Sequence, residues 1–367
     1  PKIILPARCW TPCARRRMAE RRFLVVRLGS LGDIVHTFPA VAALRESFPT
    51  SEIFWLTHAR YKLLVESSGL ASRIWTAETR AISSLMKTIR GIRAGSFDTA
   101  IDYQGLWKSA SLPFLAGVKR RVGFSPESVR EFGVPLLYTD RVHAISAHVA
   151  DQNGELSKRA GAQNAVANFH LDPPLSQELP AYLRGDVMKN YVVLSPGGGW
   201  RSKCWPPERF GALCQKIFES LSFRCLVNYG PGEEDLASQV LAASGDAAPA
   251  LFNGELGALM SLLRGAVCVV GGDTGPLHLA VALGTPVVAL FGPTDPARNG
   301  PYRNTTSSTS SAQSSDCQNQ EAPGDIVLRA TSVVTTHSRE DRTHPSMLEI
   351  QVEAVFESVR RIVEARQ

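Results

Sequence analysis

No apolar run in the chain approaches the ~18 residues that a membrane-spanning helix needs. Its 44% apolar and 20% charged residues are ordinary for a globular protein. The seven cysteines (Cys9, Cys13, Cys204, Cys214, Cys225, Cys268 and Cys317) have no metal-type spacing, and no D-x-D pair suggests a cation site. Free, mostly buried thiols in a reducing compartment are the simplest account, so a cytoplasmic location is expected. The glycine loops contain neither the dinucleotide fingerprint G-x-G-x-x-G nor the P-loop G-x-x-x-x-G-K-[ST], which argues against both of those nucleotide sites. Residues 1–17 lack the long apolar core and small-residue cleavage site of a secretory signal. They read as a basic tail outside the fold, or as upstream of a start at Met18, and carry no assigned function.

What is present is an alternation of short β-branched runs and amphipathic helical segments, the pattern of parallel sheets covered on both faces. With 367 residues there is room for two such domains. Strands are expected at Phe23–Arg27, Ile53–Leu56, Arg73–Trp75 and Phe97–Asp102, with one helix from Ile34 to Phe48 despite Pro39, and another over Ile82–Arg93. Val122 to Pro180 reads as less regular, apart from a helix near Ala147–Ala160. Pro173–Pro180 reads as a linker. A second alternation starts at Tyr191, with strands at Val192–Leu194, Cys225–Asn228, Val267–Val270 and Val287–Phe291. The Ser/Thr/Gln-rich tract 304–320 has no apolar face and is expected to be a loop. Met347 to Val363 has the spacing of a single C-terminal helix. The expected units are therefore 18–180, 181–345 and a terminal helical piece, 346–367. Two Rossmann-like doubly wound domains facing across a cleft are the economical picture.

Charge is uneven. There are 24 Lys and Arg against 15 Asp and Glu through Leu183, and 16 against 19 thereafter, which leaves a formal net charge of +6. A basic first half suits an acidic partner: a phosphorylated sugar, an anionic membrane surface or nucleic acid. A solvated basic face is the plain alternative.

Four loops directly follow strands, and all would gather at the carboxyl edges of two sheets, where ligands bind in open α/β folds. The first, Arg27-Leu28-Gly29-Ser30-Leu31-Gly32-Asp33-Ile34-Val35-His36, carries Asp33 at a loop-to-helix junction. Asp33 is either a helix N-cap or a carboxylate able to take a proton from a hydroxyl. His36 would share its helix face. The second, Ser195 to Pro206, has three glycines (Gly197, Gly198, Gly199) that let the backbone approach a ligand, and Lys203 to neutralise phosphate. Its alternative is a flexible turn. In the third, Asn228 to Asp235, Glu233 either binds ribose hydroxyls or is an acidic helix start. The fourth, VVGGDTGPLHLAVALGTPVVALFGPTDP (residues 269–296), reads as strand, glycine turn, helix, strand. Its helix would begin at Asp273, Thr274 and Gly275, offering unpaired N–H groups to a phosphate, with His278 one turn on. There, too, Asp273 and His278 have plain capping and core alternatives.

Together GSLGDIVHTFPAV, KCWPPERF, GPGEE and GGDTGPLHLAVALGTPVVALFGPTDP resemble the signatures of glycosyltransferase family 9, the bacterial lipopolysaccharide heptosyltransferases. The resemblance runs from about Phe23 to Pro301 and resumes at Arg342–Met347. The His36-Thr37-Phe38-Pro39 continuation is more like heptosyltransferase I than II. It implies a GT-B fold and inverting transfer of heptose from ADP-heptose to a Kdo residue of the inner core. Asp33 matches the catalytic base. Lys203, Glu233, Asp273, Thr274, Gly275 and His278 match donor positions, and Gly198 and Gly199 stand where heptosyltransferase I enzymes tend to carry threonines. His36, Lys108, Arg120 and Arg121 are the candidates for an acidic acceptor. The partners implied are a nucleotide sugar and a lipid A–Kdo acceptor at the inner face of the inner membrane, not nucleic acid. No metal or other obligatory cofactor is implied. Nucleotide-sugar epimerases share the two-domain shape and are one rival; a non-catalytic nucleotide-sugar binder is the other.

Overall fold

The computed structural model describes residues 21–77, 82–169, 171, 190–303, 324–332, 335–336 and 341–366. The expected basic tail 1–17, the linker 173–180 and the tract 304–320 lie outside them. Among the described residues, two six-stranded sheets form, with every paired strand parallel. The first contains β1 (Arg22–Val26), β2 (Glu52–Thr57), β3 (Arg73–Thr76), β4 (Thr99–Asp102), β5 (Arg120–Phe124) and β6 (Asp140–Val142), in the order β3-β2-β1-β4-β5-β6. The second contains β7 (Tyr191–Ser195), β8 (Arg224–Asn228), β9 (Ala250–Phe252), β10 (Cys268–Gly272), β11 (Val287–Phe291) and β12 (Ile326–Arg329), in the order β12-β11-β10-β7-β8-β9. The two orders are the same doubly wound topology. Each reverses direction beside its first strand, between β1 and β4 and between β7 and β10, so each sheet opens a crevice there.

Central strands in such sheets are covered on both sides and therefore read as unbroken apolar runs. Phe23, Leu24, Val25 and Val26 of β1 are all fully buried, as are Val192, Val193 and Leu194 of β7. Burial of each such side chain contributes about 1.5–3 kcal/mol. The helices that cover the first sheet are α1 (Leu31–Val35), α2 (Phe38–Ser47), α3 (Lys62–Ser67), α4 (Ile82–Ala94), α5 (Trp107–Leu115) and α6 (Val149–Ala160). Those of the second half are α7 (Pro207–Leu221), α8 (Glu234–Ala242), α9 (Leu256–Gly265), α10 (Gly275–Ala282), α11 (Pro296–Asn299), α12 (Pro345–Glu349) and α13 (Val352–Glu364). One apolar cluster runs through both halves. It joins Phe38, Val41, Trp55 and Leu64 to Met260, Leu277, Leu279 and Ala280, where α1 packs on α10 and α3 on α9.

Several elements differ from the sequence expectation, each for a local reason. The helix expected from Ile34 to Phe48 is two helices, because Pro39 near the start of α2 has no N–H to donate to the Val35 carbonyl. At the break the Thr37 hydroxyl bonds the Asp33 carbonyl at 2.8 Å, and Asn153 of α6 donates to the His36 carbonyl at 3.1 Å. The C-terminal helix is likewise two pieces. Its interruption turns the Ile350 carbonyl toward Trp205 Nε1 (3.0 Å) and Arg209 Nη1 (2.6 Å). Gly271 and Gly272 are not a turn after the strand but the last two residues of β10. The stretch read as irregular contains the end of β5 and all of β6.

Candidate active site

The loop after β1 is anchored where the Leu28 N–H donates to Gln104 Oε1 at 2.8 Å, beside the end of β4. Ser30 then caps α1, and Asp33 is the third helical residue rather than the cap. Its Oδ2 accepts from both the N–H and the hydroxyl of Ser30, each at 3.0 Å. Its Oδ1 meets Arg27 Nη2 at 2.8 Å, and the Asp33 side chain stays 44% exposed while Arg27 is buried. Another nitrogen of Arg27 donates to the Tyr103 carbonyl. Burial disfavours the Asp33 anion, but Arg27, the Ser30 donors and His278 outweigh it and hold the carboxyl below its ordinary value. The group is therefore an oriented, ionised carboxylate with one side open to solvent.

On the opposite sheet, three loops converge. Glu233 ties two of them together: Oε1 accepts from the Gly198 N–H (3.1 Å) and Oε2 from the Gly230 N–H (2.8 Å). A Cβ on Gly197 would stand 2.2 Å from that carboxylate, so only glycine leaves room for the staple. The third loop is built on Asp273. Its Oδ1 lies 3.0 Å from His278 Nε2, and its Oδ2 lies 3.3 Å from Asn299 Nδ2 and 3.8 Å from Lys203 Nζ. Lys203 also donates to the Asp273 carbonyl and lies 4.5 Å from the centre of the Trp200 ring. Burial would raise the Asp273 carboxyl, yet His278, Lys203 and Asn299 together hold it at about 2. Asp273 is thus a charged hub that positions Lys203 and the start of α10. Thr274 caps that helix, and its buried Oγ1 has no hydrogen-bond partner. The first N–H groups of α10 have no helical acceptor and leave a positive end.

The two sets of loops line one cavity of about 660 Å3 between the sheets. Asp33 and His36 come from one side; Gly198, Gly199, Lys203, Glu233, Asp273, Thr274, Gly275 and His278 come from the other. His36 is buried, with its ring centre 4.3 Å from that of His278 and 5.3 Å from that of His148. Burial, then those two imidazoles and Arg27, hold His36 well below its ordinary value, which favours the neutral ring, and its buried Nε2 has no hydrogen-bond partner among the described residues.

The other acceptor candidates are not brought to the cavity. Lys108 is exposed on the first turn of α5 and does not line it. Arg120 and Arg121 begin β5, at the amino edge of the sheet, opposite the cleft. The Arg120 guanidinium donates to the Arg159 carbonyl at 2.7 Å and pairs with Asp140 at 3.5 Å; Arg121 Nε donates to the Leu137 carbonyl at 2.6 Å. Besides Lys203, the Lys and Arg side chains that line the cavity are Arg130, past the carboxyl end of β5, and Arg298, past that of β11. Both obey the strand-end rule that singled out the other loops. The sequence signal for Arg130 is hidden by the weak apolar pattern of β5, and Arg298 lies two residues past the Pro296 that closes the fourth stretch.

Residues 85–326 match the model of glycosyltransferase family 9 (heptosyltransferase). The chain is 28% identical, over 77% of its length and 81% of the relative's, to lipopolysaccharide heptosyltransferase 1 of Pseudomonas aeruginosa. Among solved structures, a glycosyl transferase family 9 protein from Veillonella parvula superposes with a TM-score of 0.77 at 20% identity, covering 94% of this chain and 97% of that one. E. coli heptosyltransferase WaaC with ADP gives a TM-score of 0.69 at 22% identity, covering 93% and 99%. The same enzyme with ADP-2-deoxy-2-fluoro heptose gives 0.65, covering 94% and 100%. These likenesses make the architecture GT-B. With two-thirds of its length under the family model, the chain belongs to glycosyltransferase family 9, the heptosyltransferases.

Proposed function

We propose that the protein transfers heptose from ADP-heptose to a Kdo residue of the lipopolysaccharide inner core, inverting the anomeric centre. The observation that carries this reading is the opposed placement of Asp33 and the Lys203–Asp273–α10 end on two walls of one cavity. In a single displacement, Asp33 accepts the proton of the acceptor hydroxyl while that oxygen forms its bond to the anomeric carbon. The bond from that carbon to the donor's phosphate oxygen breaks, and ADP leaves with the electron pair. Asp33 suits the base role because Arg27 and Ser30 keep it ionised and oriented. The N–H groups of Thr274 and Gly275, with Lys203 and Arg298, oppose the charge that builds on the diphosphate. With the Gly198 N–H given to Glu233, the backbone N–H of Gly199 takes the place of a side-chain hydroxyl there. This reading calls for no obligatory metal or cofactor, and full activity in a chelator is its check.

The ADP and ADP-2-deoxy-2-fluoro heptose of the WaaC complexes support an ADP-sugar donor. The name of the Pseudomonas relative supports a lipopolysaccharide acceptor. Arg130 is the acceptor-side cation suited to the Kdo carboxylate, and the reaction would take place at the cytoplasmic face of the inner membrane. The deciding assay is incubation with ADP-heptose and a Kdo-terminated acceptor. The reading expects a new disaccharide; an altered donor would indicate an epimerase, and no change a binder. Asp33→Ala should abolish transfer while leaving ADP-heptose binding intact, and near-normal turnover in that variant would remove Asp33 from the mechanism.

A further inference from the structure

Asp102 is a buried carboxylate that the reaction described above does not use. It ends β4 at the crevice where the first sheet reverses, in register with Val26 of β1, and is 1% exposed. Among the described residues it makes no ion pair, and four donors satisfy it instead. Its Oδ1 accepts from the N–H groups of Gln104 (2.9 Å) and Gly105 (3.3 Å), and its Oδ2 from the hydroxyls of Tyr138 (2.7 Å) and Ser109 (2.9 Å). The first two bonds close the turn 102–105, which Gly105 completes in the left-handed region at φ 67°. The other two tie the carboxylate to α5 and to the segment before β6. Two acceptors of this turn are given to the loop that carries Asp33. Gln104 Oε1 takes the Leu28 N–H at 2.8 Å. The Tyr103 carbonyl takes one nitrogen of Arg27, whose other nitrogen holds Asp33 Oδ1 at 2.8 Å. An Asp that merely turned the chain would need neither burial nor two further hydroxyl donors. Burying a carboxylate without a cation is costly, and satisfaction by four donors is what makes it tolerable and rigid.

We propose that Asp102 is a positioning residue for Asp33: it fixes the turn that presents Gln104 and the Tyr103 carbonyl, and through them sets Arg27 and the Leu28 backbone. The proposal rests on the reading of Asp33 as the base. Asp102 acts here as an acceptor, so an amide in its place can fill the role. An Asn carbonyl would take the Gln104 and Gly105 N–H groups while its NH2 turned to the Tyr138 and Ser109 oxygens. A methyl group cannot. With the turn loosened, Arg27 holds Asp33 less firmly, and the Asp33 carboxyl rises toward its ordinary value. The other titratable groups that act on Asp33 or respond to it, His278 on α10 and Tyr61 after β2, belong to other elements and should act alike in every variant.

The test compares the full chain with Asp102→Ala, Asp102→Asn and Gln104→Ala, the last of which cuts the link at a half-buried side chain. Asp33 is titrated by carboxyl 13C NMR of aspartate-labelled protein without substrate, its signal assigned with Asp33→Asn, and heptose transfer is followed over pH. Asp102→Ala and Gln104→Ala should move the Asp33 titration to higher pH, and the acid limb of kcat with it. Both should lower kcat, by up to about a hundredfold for a base displaced by 1 Å, with the KM for ADP-heptose little changed. Asp102→Asn should recover most of the loss. An unmoved Asp33 titration in Gln104→Ala overturns the proposal, whether or not Asp102→Ala folds. So does a loss in Asp102→Asn as large as in Asp102→Ala with the acid limb unmoved, which would leave Asp102 a purely structural group. The NMR titration needs no substrate, so a shift there without heptose transfer by the wild type sinks the reading of function alone.

Discussion

Gly32 and Gly275 meet across the cleft. A Cβ on Gly32 would stand 3.7 Å from Gly275 Cα and 2.8 Å from His278 Cδ2, and one on Gly275 would stand 2.8 Å from Leu31 Cβ. The helices that begin the two glycine motifs therefore touch almost backbone to backbone, and this contact sets Asp33 over the donor loops. Gly275→Ala keeps the N–H at the start of α10 but inserts a methyl group that Leu31 cannot clear without moving α1. We expect kcat/KM for transfer to fall about a hundredfold, the usual scale for a misplacement near 1 Å, with ADP affinity little changed. Wild-type turnover in Gly275→Ala would show that this close contact is not needed for reaction.

Much of this arrangement could be read from strand ends and glycines. The four loops were located because each follows an apolar run, and the carboxyl-edge rule then placed them together. The same rule failed where its input failed. β5 reads RRVGF and is flanked by charged residues and prolines, so its periodicity is weak. Without it, nothing in the sequence sets Arg120 and Arg121 at the strand's start, away from the cleft, or Arg130 past its other end. Contacts made by atoms far apart in sequence were not legible at all. Nothing local says that Glu233 staples Gly198 to Gly230, or that Asp273 holds Lys203 and His278 at once.

Ser30 has two separable tasks. As the N-cap of α1 it supports the helix, and its hydroxyl helps hold Asp33 ionised. Ser30→Ala should lower unfolding stability by about 1 kcal/mol, the usual worth of a cap. Under the proposed function Asp33 acts deprotonated, so kcat/KM should rise as pH climbs through the Asp33 pKa, which lies below the ordinary carboxylate value. Removing one stabilising donor raises that pKa, and the acid limb of the variant should move to higher pH. The measurement is a pH–rate profile alongside urea denaturation. A loss of stability with an unmoved acid limb would assign Ser30 to capping alone.

The Asp273–Lys203 pair makes a prediction about acid stability. Asp273 loses its proton at about 2 in the folded chain, against about 3.9 when unfolded. Its depressed value favours the folded state at pH above the unfolded value, and that contribution is lost as pH falls toward the folded one. The contribution is about 2–3 kcal/mol. Asp273→Asn removes it and also leaves Lys203 buried without its counter-charge, so stability at neutral pH should fall by about 3–5 kcal/mol. Adding Lys203→Met should recover much of the loss, because no buried charge then remains unpaired. Urea denaturation of the three proteins checks this, and a double variant no more stable than Asp273→Asn would contradict the pairing.

Lys203 is paired with Asp273, so the proposed function expects a second cation on that wall to share the charge of a leaving diphosphate. Arg298 lines the cavity and, among the described residues, makes no ion pair. It neighbours Asn299, whose amide bonds Asp273 Oδ2, so its segment is fixed to the diphosphate end of the site. A guanidinium facing the outer phosphate should distinguish ADP from AMP. Arg298→Gln is therefore expected to weaken ADP binding by about tenfold or more, the scale of a charge-assisted hydrogen bond, while AMP binding stays near the wild-type value. Calorimetric titration of both nucleotides against both proteins reads that ratio directly. If ADP and AMP weaken together, Arg298 shapes the nucleoside end or the local fold; if neither changes, the diphosphate rests on Lys203 and α10 without it.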